Sequence, residues 1–133
     1  MKKVLNVLMA AFVLMMTGCA VSNTPEAVAL EFTKALHKAE FEEAMKYCTE
    51  DTKAVVMMQK EYFEKEQKKN PVKITNPDVS IVSCEIAEDE KTAIVKVSVK
   101  NSSMSEKKND DPIEFKLNMV KVDGKWLAEY SVK

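Results

Sequence analysis

Arginine is absent from this sequence: all twenty basic side chains are lysines. Arginine supplies the rigid fork that grips carboxylates and phosphates at two points. Its absence argues against a dedicated clamp for an anionic ligand, although a genome poor in G and C would leave the same mark. Histidine occurs once, as His37, and glycine twice. One histidine beside Cys48 and Cys84 falls short of a zinc-ligand spacing. The acidic stretches "EDE" and "NDD" lack a ligand-spaced glycine loop, so solvated turns account for them better than calcium does. His37 stands in "KALHKAE" at the end of a helical stretch, where it is expected to face water or cap the helix end. A cysteine–histidine nucleophile pair would need Cys48 or Cys84 beside it, and nothing local requires that. No catalytic residue, metal site or cofactor is expected, and the chain reads as non-enzymatic.

A run long enough to cross a bilayer is also lacking. "VLNVLMAAFVLMM" covers thirteen residues, Val4 to Met16, interrupted only by Asn6. A span needs roughly 20 apolar residues. Thirteen, preceded by Lys2 and Lys3, suits the hydrophobic region of a signal peptide. Its end, Met16-Thr17-Gly18-Cys19, resembles a bacterial lipobox, which is cleaved just before the cysteine; methionine is an unusual first residue there. That resemblance implies a diacylglycerol on the Cys19 thiol and an acylated new N-terminus, and more than one acyl chain gives stable anchoring. A plain secretory signal with an incidental cysteine is the alternative. The expected organisation is a signal peptide over 1–18, a lipidated tether over 19–23 and one domain over 24–133.

Removal of Lys2 and Lys3 takes the formal charge from −1 to −3. A mildly acidic chain offers no electrostatic support for nucleic-acid binding. Lipidation of Cys19 would leave Cys48 and Cys84 as an even pair in a compartment where disulfides persist. A bridge between them would close a loop of about 36 residues, worth roughly 3–4 kcal/mol. Alternatively the two are small buried hydrophobes that never meet.

The residues that are present predict helices first and strands second. Asn23 or Thr24 caps a helix opened by Pro25 and Glu26, with Val28, Phe32, Ala35, Leu36 and Ala39 on one face. A second helical segment, "EFEEAMKYCTE", repeats the pattern with Phe41, Ala44, Met45 and Cys48. A third, capped by Asp51 or Thr52, carries Val55, Val56, Met58, Tyr62 and Phe63 as a stripe and stops at Asn70-Pro71. After Pro77 two β runs flank the charged turn "EDEK". The second alternates Ala93, Val95, Val97 and Val99 with outward residues. "NSSMSEKKNDD" reads as a long hairpin loop. "PIEFKLNMVKV" puts Ile113, Phe115, Leu117 and Met119 on one face, and its alternation slips at Val120 and Val122, where a bulge or strong twist is expected. Asp123-Gly124 is a hairpin turn, and "KWLAEYSVK" returns. The fold class is therefore α+β: about three helices packed on an antiparallel sheet of about four strands.

The segments "TPEAVALEFTKALHKAEFEEAMKYCTED" and "VKVDGKWLAEY" resemble the small bacterial lipoproteins grouped as domain of unknown function 4878. The most specific pieces are "A-x-x-F-x-K-A-L", "F-x-x-A-x-K-Y-C" and the terminal "V-D-G-K-W". The resemblance covers residues 24–133 and implies a cystatin-like, or nuclear transport factor 2-like, fold: a curved sheet around a long helix, often leaving a cone-shaped cavity. It implies no agreed activity, and the fold elsewhere hosts isomerases, dehydratases, transport factors and peptide-binding modules.

Phe32, Met58, Tyr62, Phe63, Phe115, Trp126 and Tyr130, with Met57 beside them, are the candidates to line such a cavity; a filled core between helices and sheet is the simpler reading. Two roles follow. The cone holds a small apolar ligand or lipid, or the domain grips another envelope protein through its sheet face or edge strand. A cavity of several hundred Å3 favours the first; a filled core with an exposed apolar patch on the sheet favours the second. Ala20 carries no aspartate retention signal and no acidic run follows Cys19, so the outer membrane facing the periplasm is expected, with the cell surface as the alternative.

Overall fold

Thr24 opens the first helix from an extended conformation, φ −129° and ψ 153°, its Oγ1 accepting from the Ala27 amide at 3.2 Å. Pro25 follows at the first helical position, where its missing N–H costs nothing. In this computed structural model, residues 21–71, 73–103 and 112–130 are described; the signal-peptide, lipobox and Cys19 readings, and residues 104–111 of the expected long loop, lie outside them. Helix α1 spans Pro25–His37 and buries Val28, Ala29, Phe32, Ala35 and Leu36.

Ala39, expected on that apolar face, instead ends the helix in the left-handed region at φ 62°. Two bonds close the end: Glu40 N–H donates to Ala35 O at 2.8 Å and Ala39 N–H to Leu36 O at 3.1 Å. This is a Schellman closure, whose left-handed position favours glycine because a β-carbon is strained there. Ala39→Gly is accordingly expected to raise stability by about 0.5–1 kcal/mol, read as a higher urea midpoint at unchanged slope.

The second segment is shorter than its pattern implied. Helix α2 covers only Phe41–Ala44 and gives way to a 3-10 turn over Met45–Tyr47. Cys48 is then extended and pairs with Ala128 in an isolated parallel bridge. Helix α3 spans Glu50–Lys69, with acidic residues in its first turn and Lys68 and Lys69 in its last, as the helix dipole favours. Its cap is Thr49, two to three residues earlier than expected, whose Oγ1 accepts from the Thr52 amide at 3.3 Å. Thr52 is fully buried and ties down the other end of the chain: its Oγ1 accepts from the Tyr130 amide at 2.9 Å.

Four strands follow, β1 Asp78–Ile86, β2 Thr92–Lys100, β3 Ile113–Val122 and β4 Lys125–Glu129, as an antiparallel meander in the order β1-β2-β3-β4. Alternation puts Ala93, Val95, Val97, Val99, Leu117, Met119, Trp126 and Ala128 inward, all buried with the apolar face of α1. The irregularity expected at Val120 and Val122 is not there: β3 keeps register with both neighbours, and these valines occupy the outer face. The bulge lies in β1, where the register slips between Ile81 and Ser83 and leaves Val82 49% exposed. Asp123 and Gly124, at φ 50° and 79°, form the two-residue turn with both dihedrals positive that matches strand twist.

Candidate functional site

The concave face of the sheet is where a ligand cone would lie, and here it is covered by α1. Phe32 is 1% exposed, and Val95, Val97, Leu117 and Met119 in the same core are at 0–1%. The cavity-lining candidates therefore part company. Phe32 and Trp126 are buried in the core. Phe63 is half-buried against Phe41, ring centroids 5.7 Å apart, and Phe115 is half-buried beneath His37 at 5.9 Å. Met58 and Tyr62 are 69% and 64% exposed and do not face the interior, and Tyr130 lies exposed at the end of β4. Helix α3 buries only Thr52 and Val56 outright. At about 100° per residue, Met58 and Tyr62 fall roughly 100–140° around the helix from the Thr52–Val56–Phe63 side, turned away from the sheet.

His37 does not face water as expected. Its ring stacks on Phe115, and Nδ1 lies 2.6 Å from Ser102 Oγ. Burial pulls its pKa down from 6.5 to about 4, so the imidazole is neutral at pH 7. Around it, Ser103 N–H donates to His37 O at 2.9 Å and Thr75 N–H donates to Ser103 Oγ at 2.8 Å. Thr75 Oγ1 also donates to Asn101 O. Together these contacts clamp the end of α1, the segment before β1 and the end of β2.

Among the described residues, Cys48 and Cys84 are both free thiols. Cys48 pairs with Ala128 on the outer side of β4, whereas Cys84 sits in β1 at the opposite edge. Four strand positions at ~4.8 Å each separate them, far beyond the ~4.4–6.8 Å between Cα atoms that a disulfide requires. Burial pushes the Cys48 thiol up to about 11. Burial, then the neighbouring Glu26 carboxylate, pushes Cys84 up to about 12. Without reductant, both are expected to alkylate fully in denaturant and slowly in the native protein at pH 8. Mass analysis checks this, and a molecule two protons lighter that resists alkylation would contradict it.

Among the described residues, two surface grooves stand out. One, of about 260 Å3, runs between α1 and the 3-10 turn and is lined by Glu31, Lys34, Lys38, Glu40, Glu43 and Tyr47 among others. The other is a shallow trough of about 500 Å3 beside Ile86, Ile94, Asn118 and Val120. Among the described residues no group of three or more His, Cys, Asp or Glu could hold a metal ion, and no helix is long and apolar enough to cross a membrane. Thr75, Ser102 and Ser103 were not marked by the sequence pattern, and Asn23 and Thr52 were marked only as helix-cap candidates, a role that Thr24 and Thr49 take instead. Their partners are 26 to 103 residues away, so only a polar residue in a turn or cap position hinted at them.

Helices followed by a curved antiparallel meander define the cystatin-like, nuclear transport factor 2-like class of α+β fold. The comparison with solved structures agrees. The chain is similar to a Campylobacter jejuni protein, provisionally named an NTF2-like transpeptidase and solved at 2.00 Å, with a TM-score of 0.52 and 24% identity over 79% of this chain and 96% of that one. At that identity the likeness speaks for the fold alone. No protein-family model and no curated protein matches the chain, so the narrower resemblance to domain of unknown function 4878 rests on the segments that carry it.

Proposed function

We propose that the chain is a non-enzymatic lipoprotein of the domain of unknown function 4878 type, anchored through Cys19 and facing the periplasm from the outer membrane. Its domain serves to contact another envelope polypeptide. The observation that carries this reading is the contrast between the two sides of α3. One side closes a filled core; the other presents Met57, Met58 and Tyr62 at 43%, 69% and 64% exposure. Methionine adapts to varied partners, and aromatic anchors dominate protein contacts. A ligand-holding cone is the second reading, and the fold is compatible with it. In this chain, however, the side of the sheet that would line the cone is packed under Phe32.

The name of the Campylobacter jejuni protein points to acyl transfer, which needs an activated nucleophile. The hydroxyl–imidazole contact here, Ser102 with His37, belongs to the loop clamp, which favours a non-enzymatic role. The test is photo-crosslinking in cells with a photoreactive residue at position 58 or 62. A discrete adduct at both positions, and none from the exposed Ser80 on the outer face, is the expected result. Absence of any adduct from α3 would overturn the contact reading.

A further inference from the structure

The start of the domain is pinned unusually firmly. Asn23 Nδ2 donates to Gly124 O at 2.7 Å, and Asn23 Oδ1 accepts from the Trp126 amide at 2.9 Å. Ser22 is 2% exposed, and its carbonyl accepts from Thr24 N–H at 2.9 Å. Only Ala20 and Val21 lie between Cys19 and this fixed point. Three residue steps reach at most ~11 Å, less than the ~13 Å radius of gyration of a domain of this size. A lipid held at Cys19 therefore cannot leave the domain free to tumble; one pole always faces the bilayer.

That pole is defined by the fold. The β3–β4 turn at Asp123-Gly124 and the β1–β2 turn share one end of the sheet, since Ile86 pairs with Ala93 and Thr92 with Val120. The Lys121 amide also donates to Lys91 O at 2.8 Å. Three apolar side chains stand exposed there: Val21 at 36%, Ile86 at 38% and Val122 at 44%. The charges in these turns and strand ends are mixed: Lys91, Lys121 and Lys125 together with Glu88, Asp89, Glu90 and Asp123.

Resting on the reading of Cys19 as lipidated, we propose that this pole seats directly on the membrane surface, with Val21, Ile86 and Val122 in the headgroup layer. The partner is a lipid surface without a required charge, because acids and lysines at the pole offset one another and no polybasic cluster is present. The seat turns the His37 clamp, at the other end of α1, away from the membrane. It leaves α3 open to a partner beside or above the bilayer.

The experiment uses the full acylated chain in phosphatidylcholine vesicles carrying chain-brominated lipid, with an added tryptophan at one of two positions. Val122→Trp is expected to shift to shorter wavelength and lose most of its added emission to bromine. Lys100→Trp, at the far end of β2, is expected to lose none. Vesicle flotation separates the two layers of the idea. Protein that floats while both positions quench equally, or neither quenches, overturns the seat and leaves the anchor standing. Protein that does not float, and lacks acyl mass on Cys19, overturns the anchor and the seat together.

Discussion

Phe32→Ala is expected to cost about 3–5 kcal/mol of folding stability, the range for deleting a buried phenylalanine ring. The residue is 1% exposed in the middle of α1, in the core that also contains Val95, Val97, Leu117 and Met119. Collapse into the space would have to shift a sheet whose strands are held in register on both sides of β2 and on β3. Small domains are stable by only about 5–15 kcal/mol in total, so the variant should sit near its folding threshold. Met58→Ala and Tyr62→Ala, by contrast, should change stability by no more than about 0.5 kcal/mol, since both side chains stand largely in solvent. Chemical denaturation of the three variants measures the difference. Comparable losses at Phe32 and Tyr62 would place the Tyr62 side of α3 over the core and contradict the arrangement described above.

The second large effect is a loss of stability in mild acid, centred on His37. In the fold its pKa lies at about 4, below the ordinary 6.5, because burial disfavours the imidazolium. The unfolded chain therefore takes up the proton first as pH falls. The contribution of neutral His37 is fully present above pH 6.5, is lost progressively between pH 6.5 and 4, and levels off below that. A shift of this size corresponds to roughly 3 kcal/mol at most. Protonation leaves Nδ1 a donor toward Ser102 Oγ but places a charge over the Phe115 ring in a half-buried site. His37→Gln, which keeps a polar end without titrating, should flatten the pH dependence between 6.5 and 5, where most carboxylates remain ionised. An unchanged slope in that variant would assign the acid sensitivity to other groups.

The elements that were legible in the sequence are those whose reasons are local. The Thr24 cap, the Pro25 start, the alternation of β2 and the Asp123-Gly124 turn all depend on residues within a few positions of one another. The inward row Ala93, Val95, Val97 and Val99 follows from strand periodicity alone. What was not legible depended on distant neighbours. The stripe of α3 looks uniformly apolar from Val55 to Phe63, yet only its Thr52–Val56–Phe63 side meets the rest of the domain. Nothing in the helix itself says how far a sheet will reach across it. The apolar Val120 and Val122 suggested a slipped alternation, but an outer face tolerates valine, and the bulge formed at Val82 instead. The separation of Cys48 from Cys84 is a matter of strand order, which pairs one with β4 and embeds the other in β1. His37 becomes a clamp residue because Phe115 and Ser102 close over it from residues far along the chain.

The central claim is that the interior of this domain is filled by its own side chains and that its binding surfaces face outward. Native mass spectrometry on the protein isolated from cells without reductant tests it most directly. The expected result is the mass of the covalent chain with no further small molecule retained. A noncovalent companion of a few hundred daltons, lost on denaturation and retained when Met58 and Tyr62 are replaced by alanine, would place a ligand inside the cone and contradict it.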